Sequence, residues 1–291
     1  MDTTRQGAAV NATGIGVEGP RGWAFRGVDI SAEPGSLIAV QGPSGSGRTC
    51  LLLALTGRMR ITEGTATVAG FPLPKRMGAV RGRTAIAHVP GVADLEPALT
   101  AGEHLQEQAL LGHRLSGSLS GSLPWSRRYK DAARARIDTA LAAVGLDPTT
   151  LPKGLRTPVR DLERLEALRL SLALAVMHGP RLLAVDDVDL KLSAAERALA
   201  WQLLRDLALA GTTVVAAGSD APSDALIVRT AQAGTTGADG TGRRDAEGTA
   251  ASGAQDTTGS TTQDTTAPGP NGPADTHEEE AAHAFAETGR A

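Results

Sequence analysis

The feature that most constrains this chain is a short apolar run, Leu37–Gln41, that breaks into Gly42-Pro43-Ser44-Gly45-Ser46-Gly47-Arg48-Thr49. The run reads as a buried strand, and a helix is expected from Thr49 to about Met59. Glycines at these positions let the main chain approach a ligand with no Cβ in the way. Successive N–H groups then lead into a helix N-terminus, and the two together favour a multiply charged phosphate. The spacing is G-x-x-x-x-G-K-[ST], with Arg48 where the pattern has Lys. Gly42, Pro43, Ser44, Gly45, Ser46, Gly47, Arg48, Thr49 and Cys50 are therefore the candidate phosphate-binding residues, with the Thr49 hydroxyl as a candidate Mg2+ ligand. The competing reading is a Gly-rich turn that binds nothing.

A second segment, Leu182-Leu183-Ala184-Val185-Asp186-Asp187, is an apolar strand ending in acids. Such a strand end sets a carboxylate beside the phosphate loop, where Asp186 would hold Mg2+ through water. Further strands are expected over Val10–Val17, Trp23–Ile30, Thr65–Val68, Thr84–Val89, Thr212–Ala217 and Ala225–Val228. Helical stretches are expected over Thr100–Leu111, Lys130–Val144, Asp161–His178 and Ser193–Ala210. Strands alternating with helices in this way predict an α/β fold with a parallel sheet.

Composition narrows the function. The 291 residues carry a formal charge of −3, which argues against a polyanion-coating protein and so against nucleic acid as a partner. Pro124–Lys130, with Trp125, Arg127, Arg128 and Tyr129, is the one basic cluster with aromatics and reads as a solvated helix start. Cys50 is the one cysteine, so no disulfide forms within the chain; it reads as a small buried hydrophobe, against a low-pKa thiol. The histidines show no zinc-site spacing. The N-terminus lacks the basic-then-apolar order of a signal peptide. The most apolar helical stretch, Leu165–Met177, carries Glu166 and Arg169 and is too short to cross a bilayer. Residues 231–291 contain no Leu, Ile, Val or Met, so they are expected to be disordered, with a marginal helix over His277–Thr288.

These segments together resemble an ATP-binding cassette of the ABC transporter superfamily. Gly42–Thr49 is similar to that family's Walker A, and His178–Asp187 to its run into Walker B. Ile86–Pro90 followed by Asp94–Leu105 resembles the Q-loop region, and Gly211–Val215 the strand into the H-loop. The resemblance implies a P-loop NTPase fold of ABC-cassette type. It implies a flexible N-terminus over 1–13, an ATP-binding domain over 14–230 with a helical insertion at about 92–164, and a tail over 231–291. It also implies ATP and Mg2+ as ligands, with Thr49 and Asp186 at the metal. A homo- or heterodimer of cassettes is expected, joined to a transmembrane subunit on a separate chain. The place would be cytoplasmic, at the inner face of the membrane through that partner.

Several positions depart from the family pattern. The resemblance sets Lys at Arg48, Gln at Gly91, Leu-Ser-Gly-Gly-Gln at Leu162–Glu166, Glu at Asp187 and His at Ser219. Arg48 keeps the charge but on a longer planar fork. Asp187, the candidate catalytic carboxylate, is shorter by a methylene. Ser219 is a second catalytic candidate, able to donate a hydrogen bond. Around the signature position, Asp161, Glu163 and Glu166 oppose an anion, and an amphipathic helix capped by Asp161 is expected instead. Trp23 is the nearest candidate for stacking on adenine. Two functions stay open: a transporter subunit that binds Mg-ATP and hydrolyses it slowly, and a degenerate nucleotide-binding regulatory or structural cassette that does not hydrolyse it. A soluble ABC protein of DNA repair or translation and a small-molecule kinase fit less well.

Overall fold

Leu182–Val185 is apolar throughout and Thr213–Ala217 nearly so, and the computed structural model shows both strands buried at every residue. It describes residues 7–115 and 127–231. In chain order the elements are β1 (Val10–Gly19), β2 (Gly22–Ala32), β3 (Leu37–Gln41), α1 (Arg48–Leu55), β4 (Glu63–Val68), β5 (Phe71–Leu73), α2 (Met77–Arg81) and β6 (Thr84–Ala87). Then come α3 (Ala101–Leu115), α4 (Arg127–Val144), three turns of 3-10 helix, α5 (Arg164–Val176), β7 (Leu182–Val185), α6 (Ala194–Leu209), β8 (Thr213–Ala217) and β9 (Leu226–Arg229).

Two sheets form. One is antiparallel in the order β2-β1-β4-β5; the other is parallel in the order β6-β7-β8-β3-β9. The parallel sheet has a core on each face, and the period of two along its strands divides residues between them. Leu37, Ala39, Leu183, Val185, Val214 and Ala216 face a core built with α5 and α6. Ile38, Val40, Leu182, Ala184, Val215 and Ala217 face a core shared with α1 and the antiparallel sheet. Because the strands are parallel, β3, β6, β7 and β8 all end on one edge. The phosphate loop leaves β3 there and Asp186 leaves β7 there, the edge where open α/β sheets bind ligands.

The structure revises some expectations. Order begins before residue 14: Val10–Thr13 lie in β1 and pair with β4, and Val10, Asn11 and Ala12 pair with β2 as well, because Val10 and Ala12 have core to fill. Helix α1 stops at Leu55 rather than near Met59, since Gly57 turns the chain with φ 70. Helix α5 is buried on more than one side, with Leu170 and Ala173 joining Leu165, Leu168 and Leu172, so it is a core helix and not an amphipathic one. Its cap is Glu163, not Asp161, which ends a 3-10 turn. Residues 232–291 of the tail expected over 231–291, the helix within it, residues 1–6 and residues 124–126 of the basic cluster lie outside the described residues.

Candidate functional site

The phosphate loop is fixed by close backbone approach. Gly47 is the N-cap of α1 with φ 82, and a Cβ there would lie 2.2 Å from the Ala24 carbonyl oxygen on β2. Gly45 has nearly the same φ, 79, yet a Cβ there would meet nothing within 4 Å. The loop is therefore anchored at Gly47 and open at Gly45. Ser46 is buried, and its hydroxyl shares a 2.7 Å hydrogen bond with the Thr230 hydroxyl just past β9. The first turn of α1 leaves the N–H groups of Arg48, Thr49 and Cys50 without helical acceptors.

Two residues of the loop face two residues at the end of β7. The Thr49 hydroxyl donates to the Asp186 carboxylate, and an Arg48 Nη2 donates to Asp187 Oδ1 at 3.1 Å. Asp186 is 1% exposed and also accepts the Asp187 N–H at 3.0 Å. Burial pushes its carboxyl above the usual Asp range; the Thr49 hydrogen bond pulls the other way. Asp187 has φ 43, a left-handed backbone that Asp tolerates. The donor set suits Mg2+: a hydroxyl and one carboxylate, both hard oxygens, already in contact. Among the described residues no three His, Cys, Asp or Glu side chains gather for a metal, so an ion here would rest on Thr49, Asp186 and phosphate oxygens. Burial and Asp186 push the Cys50 thiol up, so its side chain is an unreactive neighbour of the core.

The other sequence candidates are placed less directly. Ser219 donates its hydroxyl proton to Asp189 Oδ2 at 2.9 Å, and its N–H reaches the same oxygen. Asp220, beside it, pairs with Arg197 at 3.0 Å. Gly91 has φ 74 and open space around it; its N–H donates to Asp94 at 2.6 Å. Trp23 is half-buried on β2, with the Arg26 guanidinium 4.6 Å from the ring centroid and Gly16 against its edge. At the signature position, Glu166 reaches back to accept the Glu163 N–H at 2.9 Å. Glu166→Ala is expected to cost about 1 kcal/mol, a Tm loss of about 2–4 °C by thermal unfolding.

Some residues of the site are invisible in motif spacing. Asp189 also accepts the Trp201 Nε1–H at 2.9 Å, so one carboxylate ties the chain after β7 to the chain after β8. Gln41 donates to the Ser219 carbonyl at 3.0 Å, joining β3 to the same segment. His88, half-buried with φ 50 just past β6, donates its N–H to Ser171 Oγ at 2.8 Å. Burial pushes its ring below the usual range against the pull of Asp187, Asp186 and Asp94. Its place at the strand edge is the signal that spacing rules for metal sites pass over.

A strand-loop-helix phosphate cradle with a carboxylate on a parallel strand is a pattern that known proteins share. The curated relatives include the Nod factor export ATP-binding protein I of Cupriavidus metallidurans, 29% identical over 188 residues, covering 65% of this chain and 55% of that protein. The same-named protein of Rhizobium etli is 28% identical over 188 residues, covering 65% and 53%. This chain thus spans about half the length of the curated relatives it matches. Among solved structures, cbiO1 from Clostridium perfringens superposes with a TM-score of 0.58 at 18% identity, covering 74% of this chain and 80% of that one. A dimeric bacterial ABC transporter cassette gives 0.59 at 20% identity, covering 77% and 94%. These likenesses show the fold. The family model described as ABC transporter matches residues 25–189, which hold both the phosphate loop and the acids of β7, and the chain belongs to that family.

Proposed function

We propose that this chain is the ATP-binding subunit of an ABC-type transporter. The observation that carries the reading is the pairing of Thr49 with Asp186 beside an open Gly45: a metal pair and a phosphate hollow at one sheet edge. The N–H groups at the start of α1 bind and orient the phosphates, and Arg48 adds charge beside them. Thr49 and Asp186 would hold Mg2+, which neutralises phosphate charge when bound. Asp187 stands where a carboxylate can position water or accept its proton. The molecule exported by the named relatives is theirs; the ATP-binding role is what carries over.

The subunit would act with a transmembrane partner on a separate chain, as one of a pair of cassettes, at the inner face of the membrane. Among the described residues no helix is long and apolar enough to cross a membrane. A groove of about 1480 Å³ between β6, α2, α3 and α5 supports docking of such a partner. Its lining carries Arg58, Arg81, Arg83 and Arg136 together with Asp94, Glu96 and Glu107. Residues from about 10 to 230 would form the ATP-binding domain, with the helical insertion supplying α3 and α4.

Mg-ATP binding and phosphate release, measured side by side on the purified chain, test this. Saturable binding with slow release that falls in Asp187→Asn is the expected result. Binding without release would make the chain a degenerate regulatory cassette. No affinity for Mg-ATP removes both.

A further inference from the structure

Arg48 and Thr49 are neighbours at the start of α1; Asp187 and Asp186 are neighbours at the end of β7. The Thr49–Asp186 contact is compatible with a metal, because both oxygens would serve the same ion. The Arg48–Asp187 contact does not have that property. It joins the one cation of the phosphate loop to the carboxylate placed for water, and neither can serve a phosphate while it holds the other. The guanidinium gives Asp187 a single 3.1 Å hydrogen bond, whereas its fork can grip a phosphate through two. The paired side chains are 23% and 32% exposed, so a ligand can reach them.

We propose that the Arg48–Asp187 pair is a latch on the nucleotide site. It ties down the Asp187 carboxylate in the nucleotide-free protein, and a terminal phosphate that takes over the guanidinium sets the carboxylate free. The latch rests on the nucleotide-binding reading above. Two departures from the family pattern become one device here: the longer cation and the shorter acid are each other's partner. The latch opposes binding by its own strength, and for a partly exposed pair that is about fivefold in affinity.

Four proteins test it: the natural chain, Arg48→Gln, Asp187→Asn and the double variant. Asn tolerates the left-handed backbone at 187, so the loop is kept. Each is titrated with Mg-ATP by calorimetry, and each is melted without nucleotide. Removing a negative charge near a triphosphate tightens binding in any background, so the comparison between backgrounds decides. Asp187→Asn should tighten Mg-ATP binding about fivefold when Arg48 is present and by less than about twofold when it is Gln. Without nucleotide, either single variant should lower Tm by about 2 °C and the double variant no further. Equal tightening in both backgrounds, or additive losses of Tm, overturns the latch alone. Where Arg48→Gln binds too weakly to titrate, the melting cycle decides. Failure of all four proteins to bind Mg-ATP overturns the nucleotide-binding reading, and the latch with it.

Discussion

Gly47→Ala lowers Tm by about 10 °C and abolishes Mg-ATP binding, whereas Gly45→Ala lowers Tm by only about 5 °C and still weakens binding at least about tenfold. The two glycines have φ values of 82 and 79, so the left-handed backbone costs each variant the same, about 1–2 kcal/mol. They differ in what a methyl group meets. At Gly47 it lies 2.2 Å from the Ala24 carbonyl, a backbone atom that moves only if β2 moves. Overpacking of that kind adds about 1–3 kcal/mol, giving about 2–5 kcal/mol in all. At Gly45 the methyl enters open space, which is where the phosphates belong. Thermal unfolding and calorimetric titration of both variants check this. Equal losses of Tm would show that β2 does not brace the loop.

The central strands of the parallel sheet were legible because they are apolar at successive positions, the pattern expected of burial on both faces. Leu182–Val185 and Leu37–Gln41 were read at their observed bounds for that reason. β5 and α2, three and five residues long, were not read, because fewer than two turns of pattern carry no period. The cap of α5 was misplaced because three acids lie close together, and spacing alone does not say which one ends the preceding 3-10 turn.

Within the site, legibility followed sequence proximity. Gly42–Thr49 and Asp186–Asp187 are contiguous motifs, and they meet as expected from an α/β edge. The ties that fix the surrounding loops are not contiguous. Ser46 with Thr230, Gln41 with Ser219 and Asp189 with Trp201 join segments that only the folded chain brings together. Ser219 illustrates the consequence. Its hydroxyl was read as able to donate a hydrogen bond; Asp189 is the acceptor, and nothing in the spacing of residues 189 and 219 announces it.

Asp186→Asn separates the metal from the fold. The carboxylate is 1% exposed and its burial raises its pKa from the ordinary 3.8. A raised carboxyl binds its proton more tightly in the folded state than in the unfolded one. Its contribution to stability is therefore greatest at low pH and declines as pH climbs from the unfolded value through the folded one. At neutral pH the ionised group is a cost to the fold, offset in part by the hydrogen bond from Thr49. Asn carries no charge, and its Oδ1 can accept the Asp187 N–H while its Nδ2 donates to the Thr49 hydroxyl, so both contacts are kept. The nucleotide-free variant should then be at least as stable as the natural chain at pH 7, and its lead should shrink as pH falls toward 4. A Mg2+ ion held as proposed would lose its carboxylate at the same time, so Mg-dependent ATP affinity should fall about 10–100-fold. ATP binding measured without Mg2+ should hold or improve, since one negative charge has left the site. Melting curves from pH 4 to 8 and titrations with and without Mg2+ read the two effects apart. A variant that melts early at pH 7 while keeping Mg2+ dependence would make Asp186 a structural residue and move the metal elsewhere.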